Sequence, residues 1–246
     1  MATQALRAWR GDRLFFTAMG VVVATIVFAG FARTYYLSAW WAPPARMPSM
    51  SALLHVHAVA FSLWILLGIV QPALIASGRR ALHRRLGCIA AGLGALVWLL
   101  GNLASAKAMT VGYKGVGDPF AFYAVTFFSM QAFGLCLLLA IVKRRDGPSH
   151  KRLMLLSSAA ILEAAFGRLP LPIIEQTAPL SFYVGSELIL VAAILYDKAS
   201  RGRVHPVWIW GGGALVVSQL ARLAVMQTPL WLGFAHAVAH AVAHVV

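Results

Sequence analysis

Residues 51–77 have the sequence SALLHVHAVAFSLWILLGIVQPALIAS, a long and almost wholly apolar run. From its first residue to its last it contains no Asp, Glu, Lys or Arg. A helix needs about 20 mainly apolar residues to cross the hydrocarbon core of a bilayer. An uncharged run of this length therefore predicts a transmembrane helix.

Runs of the same kind recur along the whole chain. The 246 residues are 61% hydrophobic and 11% charged, whereas soluble domains are about 25% charged. Since such runs and their short connections use almost the whole sequence, we expect a single all-α membrane domain, a seven-transmembrane-helix bundle. The predicted spans are residues 14–37, 51–77, 85–106, 119–142, 153–169, 180–196 and 207–226.

The basic residues are concentrated on one side of the predicted bundle. Of the 21 Lys and Arg residues, 15 fall in the N-terminal segment or in the second, fourth and sixth loops. By the positive-inside rule this side is cytoplasmic, so the N-terminus is predicted inside and the C-terminus outside. The residues are Arg7, Arg10, Arg13, Arg79, Arg80, Arg84, Arg85, Lys143, Arg144, Arg145, Lys151, Arg152, Lys198, Arg201 and Arg203.

The net charge of +14 invites comparison with nucleic-acid-binding proteins. Because the charge lies in short loops beside apolar spans, its predicted partners are anionic lipid headgroups, and no nucleic acid is expected.

The first apolar run is long enough to span and is interpreted as a retained helix rather than a removed signal peptide. Cys88 and Cys136 fall inside spans and are interpreted as free thiols. The oligomeric state stays open.

Charged and strongly polar side chains inside a span are costly and mark candidate functional positions. Counting about 1.5 Å per residue from the predicted span ends, eight of them lie within about 10 Å of the outer edge. This shared depth predicts a polar pocket in the outer half of the bundle that binds a small or amphiphilic ligand. The three arginines among these residues outnumber the two glutamates, which favours an anionic ligand. The residues are Arg33, His55, His57, Glu163, Arg168, Glu187, Gln219 and Arg222.

Other chemistries fit the same layer. His57, Glu163 and Glu187 could bind a transition metal, because imidazole and carboxylate suit zinc, iron or copper. The same groups could relay protons, or could fix helix packing as interhelical polar contacts. The alternatives to a ligand-binding protein are therefore a membrane metallo- or haem-dependent redox enzyme and a structural subunit of a larger membrane complex.

The second span has a recognisable polar face. His57, Trp64 and Gln71 are seven residues apart and form a stripe along one side of a helix, with Gly68 beside them. His55 lies about 200° around the helix from His57. The two histidines cannot face one metal ion in a regular helix, and His57 is the one predicted to face the pocket.

Two short stretches at the cytoplasmic side resemble each other. ALHRRLG at 81–87 opens the third span and PSHKRLM at 148–154 opens the fifth. Cationic clusters at helix N-termini suit phosphate, so lipid phosphate is the predicted partner, with haem ligation by His83, His150 or His205 as the alternative. The predicted phosphate-binding residues are His83, Arg84, Arg85, His150, Lys151 and Arg152.

The C-terminal tail, residues 229–246, carries a four-residue histidine repeat. His236, His240 and His244 share one helical face. We interpret the tail as a short interfacial helix, with a metal site at this spacing as the alternative.

The motifs together resemble a group of uncharacterised bacterial multi-pass, seven-helix inner-membrane proteins with HxHxxxF and HRxLG-type motifs. The resemblance covers most of the chain and implies a location in the bacterial cytoplasmic membrane, without implying an activity. It rests on RTYYL at 33–37, HVHAVAF at 55–61, Trp64, Gln71, HRRLG at 83–87 and HKRLM at 150–154.

Overall fold

A computed structural model describes residues 2–41, 50–112 and 117–243, with side chains from residue 11 to residue 242 within those ranges. Regular structure there is helical, which confirms the all-α prediction for this part of the chain. The predictions on Arg7, Arg10 and His244 lie outside the described side chains. The helices are α1 (Ala2–Phe31), α2 (Ala52–Ala76), α3 (Arg80–Val111), α4 (Pro119–Val142), α5 (Gly147–Ala160), α6 (Glu163–Phe166), α7 (Pro172–Gln176), α8 (Val184–Arg201), α9 (Gly213–Val225) and α10 (Pro229–Ala243).

Three helices carry an irregular turn at one end. The π-helical turn Ala32–Tyr36 continues α1, and the π-helical turn Val207–Gly212 precedes α9. A 3₁₀ turn, Leu180–Tyr183, precedes α8. With these turns, six described helical segments are long and apolar enough to cross a membrane: Gly11–Tyr36, Ala52–Ala76, Arg80–Val111, Pro119–Val142, Leu180–Arg201 and Val207–Val225.

The fifth predicted span, residues 153–169, differs from the other six. It forms two helices, α5 and α6, separated by a turn at Ile161 and Leu162. It also begins earlier than predicted, because Asp146 caps α5: its carboxylate accepts from the Ser149 amide at 3.3 Å. Pro148 occupies the first turn, where its missing N–H is harmless. His150, Lys151 and Arg152 therefore lie inside α5 rather than in a loop.

One end of the bundle, called the basic end below, gathers the start of α1, the end of α2 and the α4–α5 connection. The Arg13 guanidinium donates to the Ala76 carbonyl at 3.1 Å. His150 Nδ1 forms a hydrogen bond with the Ala140 carbonyl at 2.9 Å. The end of α8 and residues 202–206 lie at the same end, as the ion pairs described below show.

Glycines allow α1 to approach its neighbours closely. A Cβ on Gly20 would lie 2.4 Å from the Gly68 carbonyl oxygen of α2, and a Cβ on Gly30 would lie 2.1 Å from the Ala165 carbonyl oxygen of α6. The close approach of α1 and α2 therefore depends on Gly20, whereas a Cβ on Gly68 would meet nothing within 4 Å. Small residues at such crossings let helix backbones pack by van der Waals contact, the main attraction between helices in lipid.

The C-terminal helix α10 packs on α3 and α4. Trp231 is buried, and its indole N–H donates to the Phe120 carbonyl at 3.0 Å. His236 stacks on the Phe120 ring at 4.0 Å between centroids. The tail thus belongs to the packed body of the protein as far as Val242, while His236 and His240 are exposed.

Candidate functional site

A buried ion pair joins α6 to α9. Glu163 is the first residue of α6 and is 3% exposed, and Arg222 near the end of α9 is 1% exposed. Arg222 Nη1 donates to Glu163 Oε2 at 3.0 Å. The turn at residues 161–162 ends α5 immediately before Glu163 and so places this carboxylate between α4 and α9.

Three groups from α4 and α9 complete the environment of this pair. The Ser129 hydroxyl accepts from Arg222 at 2.6 Å and also hydrogen-bonds with Glu163 Oε1. The Val125 carbonyl accepts from Arg222 at 3.3 Å, and the Ser218 hydroxyl accepts from its Nε at 3.4 Å. Both carboxylate oxygens of Glu163 are thus occupied by protein donors, which makes this cluster a closed, satisfied site.

Glu187 and Gln219, both predicted to bind ligand, lie in a separate place between α8 and α9. Gln219 is 3% exposed and donates to the Ser186 hydroxyl at 2.9 Å. The two residues line a groove of about 310 Å³ together with Tyr183 and apolar side chains. Glu187 Oε1 is buried and has no hydrogen-bond partner among the residues that the structure describes.

Arg33 and Arg168 share a different cavity of about 480 Å³ at the end of the bundle opposite the basic end. Arg33 lies on the π-helical turn that ends α1, and it is exposed. Arg168 follows α6, donates to the Ala164 carbonyl at 2.5 Å and lies over the Phe31 ring at 4.9 Å. Trp41 completes the mouth of the cavity.

The two histidines of α2 face different neighbours. His55 is exposed and lies near the Tyr35 ring, 6.1 Å between centroids. The His57 ring packs against the Phe61 ring at 4.1 Å between centroids, tilted by 34°, and its Nδ1 is buried without a hydrogen-bond partner in the described part of the chain. Lower in the same stripe, the Trp64 indole N–H donates to the Ser158 hydroxyl at 3.3 Å.

The predicted metal ligands are not gathered into one place. Glu163 is bound by Arg222, Glu187 lies in the α8–α9 groove, and His57 packs on Phe61. Among residues 2–41, 50–112 and 117–243 there is no group of three or more His, Cys, Asp or Glu side chains that could hold a metal ion. The outer polar layer predicted from sequence is therefore divided into separate environments.

The predicted phosphate-binding residues at the basic end also lie in different environments. Arg84 and Arg85 are exposed on the first turns of α3. The rings of His83 and His150 are 6.5 Å apart, so the two similar sequence stretches meet in space. Arg152 is 1% exposed and bound by Asp197, with Nε donating to Oδ2 at 2.8 Å and Nη2 to Oδ1 at 2.5 Å. Its charge is directed into the protein, away from lipid phosphate.

Two aspartates that the sequence analysis did not single out organise the basic end. Asp197, in α8, also accepts from Arg201 at 3.0 Å and from the His205 backbone amide at 3.3 Å. Asp12, at the start of the apolar part of α1, binds Lys151 and Arg201. The i, i+4 spacing of Asp197 and Arg201 was a signal in the sequence that could have identified this pair.

His205 lies in the connection between α8 and α9, beside this network. Burial lowers the pKa of the His205 imidazole, and the nearby positive charge of Arg152 lowers it further. Both effects favour the neutral imidazole, in which Nδ1 can accept the hydrogen bond that the Val207 amide donates at 3.2 Å.

These features define the class of the protein: a helical protein with six segments suited to crossing a membrane and with buried ion pairs between its helices. No protein-family model, curated protein or solved structure matches the chain.

Proposed function

We propose that the protein is a seven-helix membrane protein that binds an anionic amphiphile between Arg33 and Arg168. The observation that carries the proposal is the cavity of about 480 Å³ that both arginines line. Binding sites for small molecules commonly have volumes of about 300–1,000 Å³. Guanidinium groups bind phosphate and carboxylate through two parallel hydrogen bonds, so two of them suit an anionic headgroup.

The surroundings of the cavity fit a ligand that reaches it from the membrane. Arg33 lies on a π-helical turn, a rare conformation that is frequent at functional sites. Trp41 is exposed at the cavity mouth, and tryptophan is enriched where the membrane meets water. An anionic headgroup in the cavity and an acyl chain along the apolar surface of α1 would satisfy both parts of this region.

A seventh crossing by α5 and α6 is supported by their contacts with α1. Lys151 of α5 binds Asp12, while Ala165 of α6 lies against Gly30. These contacts are separated by roughly 27 Å along α1 and by roughly 21 Å along α5 and α6, counting the two-residue turn between them at the helical rise. The hydrocarbon core is about 30 Å thick, so α5 and α6 together traverse most of it.

The orientation follows from the positive charges. We place the basic end in the cytoplasm, because lysines and arginines are in excess in cytoplasmic loops. The cavity of Arg33 and Arg168 then opens near the outer surface. The resemblance to bacterial inner-membrane proteins is the ground for proposing the bacterial cytoplasmic membrane as the location.

Replacing Arg33 with glutamine should reduce the affinity for anionic lipid by about tenfold, as expected for losing one charged hydrogen-bonding group. Native mass spectrometry of the full chain with added phosphatidylglycerol or phosphatidylcholine measures this affinity. Lys107→Gln is the matched control, because it removes one positive charge from the same end of the bundle but from α3. The control should bind phosphatidylglycerol as the unmodified chain does.

Inorganic phosphate distinguishes a free anion from a lipid headgroup. If phosphate alone competes with phosphatidylglycerol at similar concentration, the ligand is a small anion rather than an amphiphile. Equal binding of phosphatidylglycerol and phosphatidylcholine, or equal losses in Arg33→Gln and Lys107→Gln, would refute an anion site at Arg33.

The seven-crossing topology predicts that Ser77 and Arg203 lie on the same side of the membrane, with Gln176 on the other. In a Cys88→Ala/Cys136→Ala background, a membrane-impermeant thiol reagent applied to right-side-out vesicles should label Gln176→Cys only. Ser77→Cys and Arg203→Cys should react after permeabilisation. A six-crossing chain, in which α5 and α6 do not traverse, would put Ser77 and Arg203 on opposite sides.

A further inference from the structure

A groove of about 310 Å³ runs between α8 and α9 on the side of the bundle that would face lipid. Its walls are apolar and include Leu188, Val191 and Leu220, which are 59%, 51% and 56% exposed. In a membrane these side chains face the acyl chains of lipids. The groove is therefore open sideways to the bilayer and is distinct from the cavity that Arg33 and Arg168 line.

The floor of the groove is polar. Tyr183 is 4% exposed, and its hydroxyl is buried without a hydrogen-bond partner among the described residues. Glu187 Oε1, four residues further along the chain, is also buried and unpartnered there. Gln219 is already engaged with Ser186 through its amide nitrogen. The Glu187 carboxylate on the floor thus has an oxygen whose hydrogen-bonding capacity the described protein does not use.

Unsatisfied polar atoms are costly at this position. In the hydrocarbon region no water is present to complete a hydrogen bond, so an unmet polar group there is strongly unfavourable. The other membrane-buried glutamate, Glu163, is neutralised by Arg222. In the part of the chain that the structure describes, no basic side chain forms an ion pair with Glu187. A donor supplied from the membrane would meet this need.

We propose that the α8–α9 groove binds an amphiphilic amine, with its ammonium group at Glu187 and its alkyl chain along the apolar wall. The charge complementarity of carboxylate and ammonium selects an amine, because an ammonium supplies both the opposite charge and N–H donors. An anionic headgroup is disfavoured here, since a like charge beside a buried carboxylate is repelled.

Photoaffinity labelling of the full chain in phosphatidylcholine nanodiscs tests this. The probe is hexadecylamine with a diazirine on its alkyl chain. We expect it to label peptides of Val184–Arg201 and Gly213–Val225, and hexadecylamine but not hexadecanol should compete. Glu187→Gln should lower labelling by at least about tenfold, as for one partner of a buried charge pair, whereas the exposed control Glu175→Gln should not.

A second variant separates loss of the site from misfolding. Val191→Trp fills the groove and leaves Glu187 in place, so it should also abolish labelling of α8 and α9. Arg33→Gln should leave labelling unchanged, which keeps this site independent of the proposed anion cavity. Equal competition by hexadecanol, labelling spread evenly over all helices, or full labelling of either Glu187→Gln or Val191→Trp would overturn the proposal.

Discussion

Replacing Arg222 with methionine should lower the melting temperature of the protein in detergent by roughly 10 °C. The substitution leaves Glu163 at 3% exposure without its partner, whereas the unmodified chain holds it with a 3.0 Å hydrogen bond. Breaking a buried ion pair by removing one member costs about 3–5 kcal/mol. Most of the expected loss of stability comes from leaving the Glu163 carboxylate buried without a partner, and less of it comes from losing the attraction to Arg222.

Thermal unfolding followed by tryptophan fluorescence measures the effect, with two controls. Ser218→Ala removes only the longer contacts of Arg222, at 3.3 and 3.4 Å, and should change the melting temperature little. The double variant Glu163→Gln/Arg222→Met should be more stable than Arg222→Met alone, because no charge is then left buried. An Arg222→Met protein that melts with the unmodified chain would show that the pair does not hold α6 to α9.

The sequence predicts that Glu163 and Arg222 are charged residues within apolar spans, but it does not predict that they form an ion pair with each other. Charged residues in apolar spans are conspicuous because the bilayer penalises them, and both residues fell within one predicted layer. Which of the layer's groups meet depends on the rotation of each helix and on the turn at residues 161–162. That turn lies where α6 packs against Gly30, a contact between distant parts of the chain. The residues of the predicted layer therefore lie in separate places, which include a closed ion pair, a cavity and a groove.

The basic end shows a different limit of sequence analysis. The charge pattern places Lys151 and Arg152 in the fourth loop, and their position at the start of the fifth predicted span predicts lipid phosphate as their partner. Yet Asp146-Gly147-Pro148 is a helix-start signal, an N-cap aspartate followed by proline in the first turn. Beginning the helix there places Arg152 among other helices, where a charge requires a buried partner. The partner, Asp197, is 45 residues further along the chain.

Replacing Asp197 with asparagine should destabilise the protein by about 3–5 kcal/mol, the cost of breaking a buried pair. Asp197 accepts from Arg152, Arg201 and the His205 backbone amide, so one carboxylate joins α5, α8 and the start of the segment before α9. Asparagine keeps the shape but loses the charge, and the Arg152 guanidinium is then buried unpaired. The measurement is the midpoint of denaturant unfolding in detergent.

The matched control is Asp146→Asn, which makes the same chemical change at the same end on an exposed helix cap. Its unfolding midpoint should be unchanged, because asparagine caps helices about as well as aspartate.

A double variant, Arg152→Met/Asp197→Leu, separates the two possible origins of the loss. Apolar replacement of a buried pair is often neutral or stabilising, so the double variant should recover most of the stability that Asp197→Asn loses. Recovery would mean that the network chiefly fixes which helices meet at the basic end. No recovery would mean that the bonds of Asp197 to Arg201 and His205 hold α8 in place by themselves. Equal midpoints for Asp197→Asn and Asp146→Asn would refute the buried pair.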